Sequence, residues 1–430
     1  MNRPIALDVS HLAHRSRYGA PAGIEKVDFA YSRHFALQDA KIVAGVQYGV
    51  TRPRIMTPAK VKSLVSVVEA KWATDVPIAD DLKFQRIRRW LLGESLEREG
   101  LSHRDSRARD IVAKNFSGLQ RALLPAVQPS YELLPEGAIY LNIAQHALEK
   151  PFYFSWLSSR PDLQRVFFLH DLLPLQHPEF WPPDHLDLFR RRIACVAQHA
   201  TAVITTSKVV EATLREEMTR LGRHDLRIWS QPFPSPLALS GQTIEPDPSL
   251  ETTDYFAVVN TIEPRKNHLL LLNVWRELAR QGANAPKLVL IGKRGWGFKQ
   301  VTDPIEKDPT LRSLVIEAAG LSDAGLQTLL AGANALLAPS FAEGYGLPIV
   351  EALTIGTPVV ASDIPVFREV SQQRAVFRGP NDVSGWLEAI RALSQRSSAL
   401  SREATEAART YAPVTGQAYF AAVEAFLASL

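Results

Sequence analysis

The sequence predicts an α/β protein of two doubly wound, parallel-sheet domains, on three observations. Short apolar runs alternate with helix-period segments over most of the chain, the pattern of βα units. The 430 residues exceed what one ordinary core serves, so two domains are expected. Between the two sets of strands lies an aperiodic, proline-rich stretch, Pro232-Phe-Pro-Ser-Pro and then Gly241-Gln-Thr-Ile-Glu-Pro-Asp-Pro, which reads as a linker.

In the first half the predicted strands are Ile5–Val9, Ile42–Gln47, Ala138–Ile143, Val166–Leu169, Ala202–Thr205 and Arg227–Ser230. In the second half they are Tyr255–Val259, Lys287–Ile291, Ala335–Ala338, Pro358–Ala361 and Ala375–Phe377. Such continuous apolar runs suit strands covered on both faces. The predicted domains are 1–235 and 253–412, joined by a linker over 236–252. An apolar-rich helix closes the chain within 413–430. Residues 55–130 are richer in Arg, Lys and Trp. There, 82–92 reads as a basic amphipathic helix with Phe84, Ile87 and Leu91 on one side and Lys83, Arg86, Arg88 and Arg89 beside them. Such a helix either packs its stripe on the protein or docks, with Trp90, on an anionic membrane surface.

Composition narrows the class. Hydrophobic residues at 46% and charged residues at 22% are ordinary for a soluble globular chain. No apolar run is long enough to span a bilayer, and the N-terminus lacks a secretory core, so a cytoplasmic enzyme is expected. The single cysteine, Cys195, excludes an internal disulfide and a cysteine-based metal cluster. The net charge of +4 is compatible with an anionic ligand or membrane surface. Basic residues are not interleaved with aromatics on one evident face, so no nucleic-acid partner is expected.

The most informative stretch runs from Pro339 to Glu369. Glu343 and Glu351 bracket Gly344-Tyr345-Gly346-Leu347-Pro348, a turn that opens a helix with proline at its first positions. The amides from Gly346 to Ile349 are expected to be left over by the helix and to carry the positive end of its dipole, a seat for phosphate. Carboxylates on the loop and first turn then suit hydroxyls on either side, and a nucleotide-sugar has hydroxyls at both ends of a diphosphate. Arg265 and Lys266 follow another predicted strand at a helix start. Cations are unfavourable there unless they have a task, and a diphosphate supplies one. Lys293 follows a third strand and reads equally as a nucleotide contact or a surface turn. Gly295 and Gly297 around Trp296 suggest a shaped loop. In the first half, His170 and Asp171 stand at a strand end, and Gly23 opens a helix after a polar loop holding Arg15 and Arg17. No Asp-x-Asp pair occurs, which weakens a metal-dependent route, and neither metal nor cofactor is expected.

These residues together resemble the family-4 retaining glycosyltransferases, whose signature is a Glu-x7-Glu element matching Glu343 and Glu351. The resemblance extends through Asn260-Thr-Ile-Glu-Pro-Arg-Lys-Asn267, Ile291-Gly-Lys-Arg-Gly-Trp296 and Leu321-Ser-Asp-Ala-Gly-Leu326, covering roughly 165–390 and barely touching 50–135. It implies the GT-B fold: two Rossmann-like domains facing a central cleft, with the last helix returning to the first domain. It further implies that Arg265 and Lys266 hold the donor diphosphate and Glu351 the ribose. Glu343 and the amides of Tyr345, Gly346 and Leu347 would bind the sugar, and His170 would line the sugar pocket, with His177 orienting its loop. The family has a glycine-rich loop near Gly23. This chain offers Gly23 alone, with Gly19 four residues back, so Arg15 and Arg17 are an alternative contact for an acidic acceptor.

The activity implied is transfer of a hexose from a nucleoside-diphosphate sugar with retention of configuration, the departing phosphate taking the acceptor proton. The Glu-Pro-Arg-Lys-Asn and Gly-Lys-Arg-Gly-Trp pair looks most like mannosyltransferases of bacterial surface-polysaccharide (lipopolysaccharide) assembly. GDP-mannose is therefore the favoured donor and a lipid-linked glycan the acceptor, with peripheral contact at the inner membrane. The alternatives are a UDP-sugar epimerase of the same fold and a non-catalytic scaffold of a polysaccharide assembly complex.

Overall fold

The computed structural model describes residues 3–16, 23–37, 42–48, 53–72, 77–94, 131–236, 239, 244, 246–282 and 284–430. The chain divides into two compact units. One comprises the described residues among 1–74, 107–233 and 415–430; the other comprises those among 75–106 and 234–414.

The first unit is built on β1 (Ile5–Asp8), β2 (Ile42–Tyr48), β3 (Pro53–Met56), β4 (Ile139–Asn142), β5 (Gln164–Leu169), β6 (Ala202–Thr205) and β7 (Arg227–Ser230), in the order β3-β2-β1-β4-β5-β6-β7. All pairs are parallel except β2 with β3, in which Val46 faces Ile55. β3 escaped the sequence reading because it is short and proline-led. Proline lacks the N–H a central ladder needs but is tolerated at the first position of an edge strand. β1 and β4 are neighbours, with Ile5 beside Ile139, although β2 and β3 intervene in sequence. The strand order therefore reverses between them, and the carboxyl ends of such a pair are where open α/β sheets bind ligands.

The helix Gly416–Ala428 packs in this same unit. The Tyr31 and Tyr419 hydroxyls meet at 2.8 Å in the core, and the His34 ring stacks on Phe420 with centroids 3.9 Å apart. Phe426 stacks on Trp229 at 4.8 Å.

The second unit carries β8 (Tyr255–Val259), β9 (Lys287–Ile291), β10 (Val315–Ala318), β11 (Leu336–Ala338), β12 (Val359–Ser362) and β13 (Val376–Arg378), all parallel, in the order β10-β9-β8-β11-β12-β13. Its reversal falls between β8 and β11. β10 was not legible because Val-Ile-Glu-Ala interrupts its apolar run with Glu317, which holds Arg294 through two contacts of 2.7 and 2.8 Å.

Two boundary expectations need correction. The helix Leu82–Leu91, expected inside a first domain of 1–235, belongs to the second unit. Asp81 caps it by accepting from Lys83 N and Phe84 N, while its other oxygen accepts from Ser322 N at 2.8 Å. Phe84, Ile87, Trp90 and Leu91 are buried, and Lys287 lies 4.7 Å over the Trp90 ring. Arg88 reaches Asp247 at 2.5 Å and Ser249 at 2.9 Å. These aromatics are therefore core, and the helix does not offer them to a membrane. The second correction is that part of 236–252 is structure rather than linker. Pro248–Glu251 forms a helical turn, and Leu250 is fully buried against Gly332.

Candidate active site

The candidate site of the second unit grows from the carboxyl ends of β8 and β11. After β8 the chain makes a short turn, Pro264–Lys266, and Asn267 then takes a left-handed conformation (φ 56°) to enter the helix His268–Arg280. Asn267 tolerates this backbone better than most residues. Its amide locks the turn to the neighbouring loops by donating to Pro339 O at 3.0 Å and Pro380 O at 2.7 Å. Phe341 N donates to Arg265 O at 2.9 Å, so the two loops are laced by backbone as well.

Arg265, Lys266 and Glu343 meet here. The Arg265 fork donates to Ala342 O at 2.7 Å, Glu343 Oε2 at 2.8 Å and Glu263 Oε1 at 2.8 Å. Lys266 Nζ bonds Glu343 Oε1, which also accepts from Ser340 Oγ at 2.8 Å. Burial alone would raise the Glu343 carboxyl, but the two adjacent cations outweigh it and hold its pKa down at about 2. Burial pulls the Lys266 ammonium below its ordinary value, and the Glu343 charge opposes that shift. From sequence, the cations are expected to hold a diphosphate and Glu343 a sugar, as separate tasks. The structure joins all three, with Glu263, into one cluster of balanced charge.

The loop beyond Glu343 makes a second polar surface. Gly346 has φ 111°, and a Cβ there would fall 2.8 Å from the Phe367 ring, so only glycine fits. The expectation that the amides from Gly346 to Ile349 are all left over needs correction. Pro348 has no N–H, and Ile349 N donates back to Gly346 O at 2.9 Å. Among the described residues, the Gly346 and Leu347 amides are the ones in that run without a protein acceptor. Gly344 and Tyr345 lie on the same loop. Glu351, the fifth residue of the helix Leu347–Thr354, is half-buried on its second turn. Lys293 is exposed on the loop after β9, whereas Arg294 beside it is tied to Glu317. His268 is buried with neither ring nitrogen bonded, and burial, reinforced by Lys266, holds it neutral with a pKa of about 3.

In the first unit His170 stands just past β5. Its Nε2 lies 3.0 Å from Ile143 O, and since a carbonyl can only accept, Nε2 carries the proton and Nδ1 the lone pair. Burial brings the pKa down to about 4, so the ring is neutral at pH 7. Asp171 caps the next turn through Leu173 N at 3.1 Å, and His177 sits at the surface 3.4 Å from Glu179. Gly23 is exposed at the start of the helix Gly23–Leu37, with nothing near its α-carbon that a side chain would meet. Arg15 is paired with Glu25 at 2.9 Å; Arg17 and Gly19 lie outside the described residues.

A cluster that sequence reasoning missed lies at the reversal between β1 and β4. Buried Asp28 meets His11 Nδ1 at 3.0 Å. The His146 ring lies 6.1 Å from His11 and 6.2 Å from His14. His146 is set between Gln145 and Ala147, both left-handed at φ 56° and 60°, strain of the kind that collects at functional sites. Below them Asp8 accepts from Ser10 N, Tyr140 OH and Asn142 Nδ2. The signal available was the three-residue spacing of His11 and His14 directly after the first strand. Among the described residues no three His, Cys, Asp or Glu side chains are placed to hold a metal ion.

Two Rossmann-like parallel-sheet units of this topology define the GT-B glycosyltransferase fold. The fold is shared with sucrose-phosphate synthase of Thermosynechococcus elongatus (TM-score 0.60, 15% identity, 100% of this chain and 99% of that one). It is shared also with an E. coli trehalose-6-phosphate protein bound with UDP-2-fluoro glucose (TM-score 0.55, 11% identity, 75% and 79%). Residues 242–411 match the family Glycosyl transferases group 1. The chain carries that domain and is homologous to mannosyltransferases of O-antigen synthesis. It is 31% identical over 252 residues to the serotype-specific mannosyltransferase WbdA of Escherichia coli (54% of this chain, 30% of that protein). A longer alignment to a WbdA is 27% identical over 439 residues (86% and 52%). The O-antigen chain mannosyltransferase B of E. coli is 28% identical over 228 residues (51% and 58%). The chain thus spans between about a third and just over half of the length of these relatives.

Proposed function

We propose that this protein is a glycosyltransferase that moves a hexose from a nucleoside-diphosphate sugar to a growing surface polysaccharide. The observation that carries the reading is the Arg265–Lys266–Glu343 cluster beside the Gly346 and Leu347 amides, at the strand reversal of the second sheet. Arg265 and Lys266 hold the diphosphate and offset the charge that develops on it as the glycosidic bond breaks. An entering diphosphate takes over N–H donors that now serve Glu343, and the released carboxylate becomes an acceptor for sugar hydroxyls. Glu351 takes the ribose hydroxyls, Lys293 reaches the nucleotide, and His170 serves the reacting sugar. Configuration is retained, the departing phosphate takes the acceptor proton, and no metal is required. Mannose from GDP-mannose is the favoured donor, in keeping with the mannosyltransferase names of the relatives, and the acceptor is a lipid-linked glycan at the cytoplasmic face. Any membrane contact is made elsewhere than at the buried aromatics of Leu82–Leu91.

A panel of nucleotides and nucleotide-sugars, read by thermal melting, tests this reading, because a ligand of the native state raises Tm. GDP-mannose is expected to raise it without added metal, and EDTA to leave transfer intact. A panel in which no nucleotide stabilises the protein overturns the assignment.

A further inference from the structure

The loop after β9, Gly292-Lys-Arg-Gly-Trp-Gly297, is seated tightly on the segment that leads into Arg265. A Cβ on Gly292 would fall 1.7 Å from Asn260 O, so the backbones following β8 and β9 touch with no room for a side chain. Ile262 N donates to Lys293 O at 2.8 Å and Gly295 N to Ile262 O at 2.9 Å. A Cβ on Gly295 would meet Thr261 Cγ2 at 2.6 Å and Glu263 Oε2 at 3.3 Å. Gly297, left-handed at φ 69°, rests on Pro264, whose ring carbons would lie 3.0 and 3.2 Å from a Cβ there. Arg294 is fixed by Glu317, and its guanidinium lies 5.2 Å from the centre of the Phe298 ring.

Trp296 stands between these two braced glycines, and 49% of its surface is exposed. Its neighbours in sequence touch Glu263 and Pro264, and Glu263 binds Arg265. The backbone that carries this large indole is thus seated beside Glu263, a partner of Arg265. The indole carries no charge and a single N–H donor, so what it offers a ligand is an apolar face. A backbone already braced need not be ordered when a ligand binds, which lowers the cost of the contact.

We propose that Trp296 is a stacking platform for a ring of the molecule whose diphosphate Arg265 and Lys266 hold. The ring is the nucleobase or the sugar of the nucleotide-sugar, each of which presents a flat apolar face. The inference rests on the nucleotide-sugar reading of this site. Calorimetric titration of the full-length protein with inorganic diphosphate, GDP and GDP-mannose tests it in wild type, Trp296→Ala and Trp296→Phe. Trp296→Ala is expected to keep the wild-type Tm and affinity for inorganic diphosphate. It should bind GDP-mannose roughly 10-fold more weakly, the scale of one lost aromatic stack, with Phe restoring most of the loss. A matching loss with GDP assigns the base; a loss confined to GDP-mannose assigns the sugar. Wild-type affinity of Trp296→Ala for GDP-mannose overturns the platform alone, while a wild type that binds neither nucleotide overturns the site reading together with it.

Discussion

The polar clusters at the two strand reversals use opposite electrostatic strategies. In the second unit Arg265, Lys266, Glu263 and Glu343 are charged and compensate one another at a site with little exposure. In the first unit His170 is kept neutral by burial, and the His11, His14 and His146 rings gather over two buried carboxylates. Charge retained against desolvation suits an anionic ligand, because fixed ions in a partly dry site interact far more strongly than in water. The neutral His170 ring, its Nε2–H given to Ile143 O, has the Nδ1 lone pair left to accept from a hydroxyl group. The same kind of sheet edge therefore carries two chemistries, set by what lies under each loop.

The largest expected effect breaks the charged side of this comparison. Arg265→Ala and Lys266→Ala should each cut turnover by about 100-fold or more and weaken nucleoside-diphosphate binding, the scale of losing one electrostatic stabiliser. Steady-state kinetics with circular dichroism as the folding control would show it. Near-normal rates in both would make the cluster a structural ion pair.

His170→Ala probes the neutral side and should abolish most transfer while leaving GDP affinity at the wild-type level. Its pH signature is separate. The folded His170 pKa of about 4 lies below the ordinary 6.5, so the folded state resists protonation. The stability it permits is complete above pH 6.5 and falls as pH drops toward 4, by on the order of 3 kcal/mol at most. Chemical denaturation across that window should find a flatter slope in His170→Gln than in wild type, although buried His268 keeps part of the slope in both. Glu343 has the sign of a depressed carboxylate. Its contribution is present above the ordinary 4.5 and disappears as pH falls toward 2. Glu343→Gln should change the acid limb only there, and an effect near pH 6 would contradict the ion-pair geometry.

The two signature glutamates sharpen the division further. Glu351→Gln should chiefly weaken binding of the free nucleotide, whereas Glu343→Gln should spare it and lower turnover. Equal losses of nucleotide affinity would erase the distinction between ribose and sugar roles.

The smallest effect concerns Leu82–Leu91. Arg88→Ala should lower stability by about 1 kcal/mol, since part-buried Asp247 loses its cation while Ser249 N and Oγ still donate to it. Changing Arg86 and Arg89 to Glu should leave liposome flotation as in wild type. A lipid-dependent shift in that variant would return the helix to the membrane.

Much of the fold was legible because continuous apolar runs such as Tyr255–Val259 and Ala202–Thr205 encode doubly covered strands locally. Pro53–Met56 was hidden because an edge strand needs only a partner, here Tyr48 and its neighbours, and no long apolar run of its own. The candidate site was legible as residue types: two cations after one strand, two glutamates around a glycine turn after another. Their pairing was not, since Lys266 and Glu343 stand far apart in the chain and meet only because β8 and β11 are adjacent. Trp296 was visible as a residue between glycines, but that its loop is seated on Glu263 and Pro264 required the fold.

By itself the sequence determined the α/β class, the presence of two units and the residue types at each strand end, because hydrophobic period and side-chain identity are local properties of the chain. Tertiary structure alone decided that Phe84 and Trp90 are core of the second unit and that Glu343 neutralises the cations read as a diphosphate clamp. It also placed Asp28 beneath His11. In each case the deciding quantity is how far a side chain is removed from water and which distant charge replaces it. No local pattern encodes that.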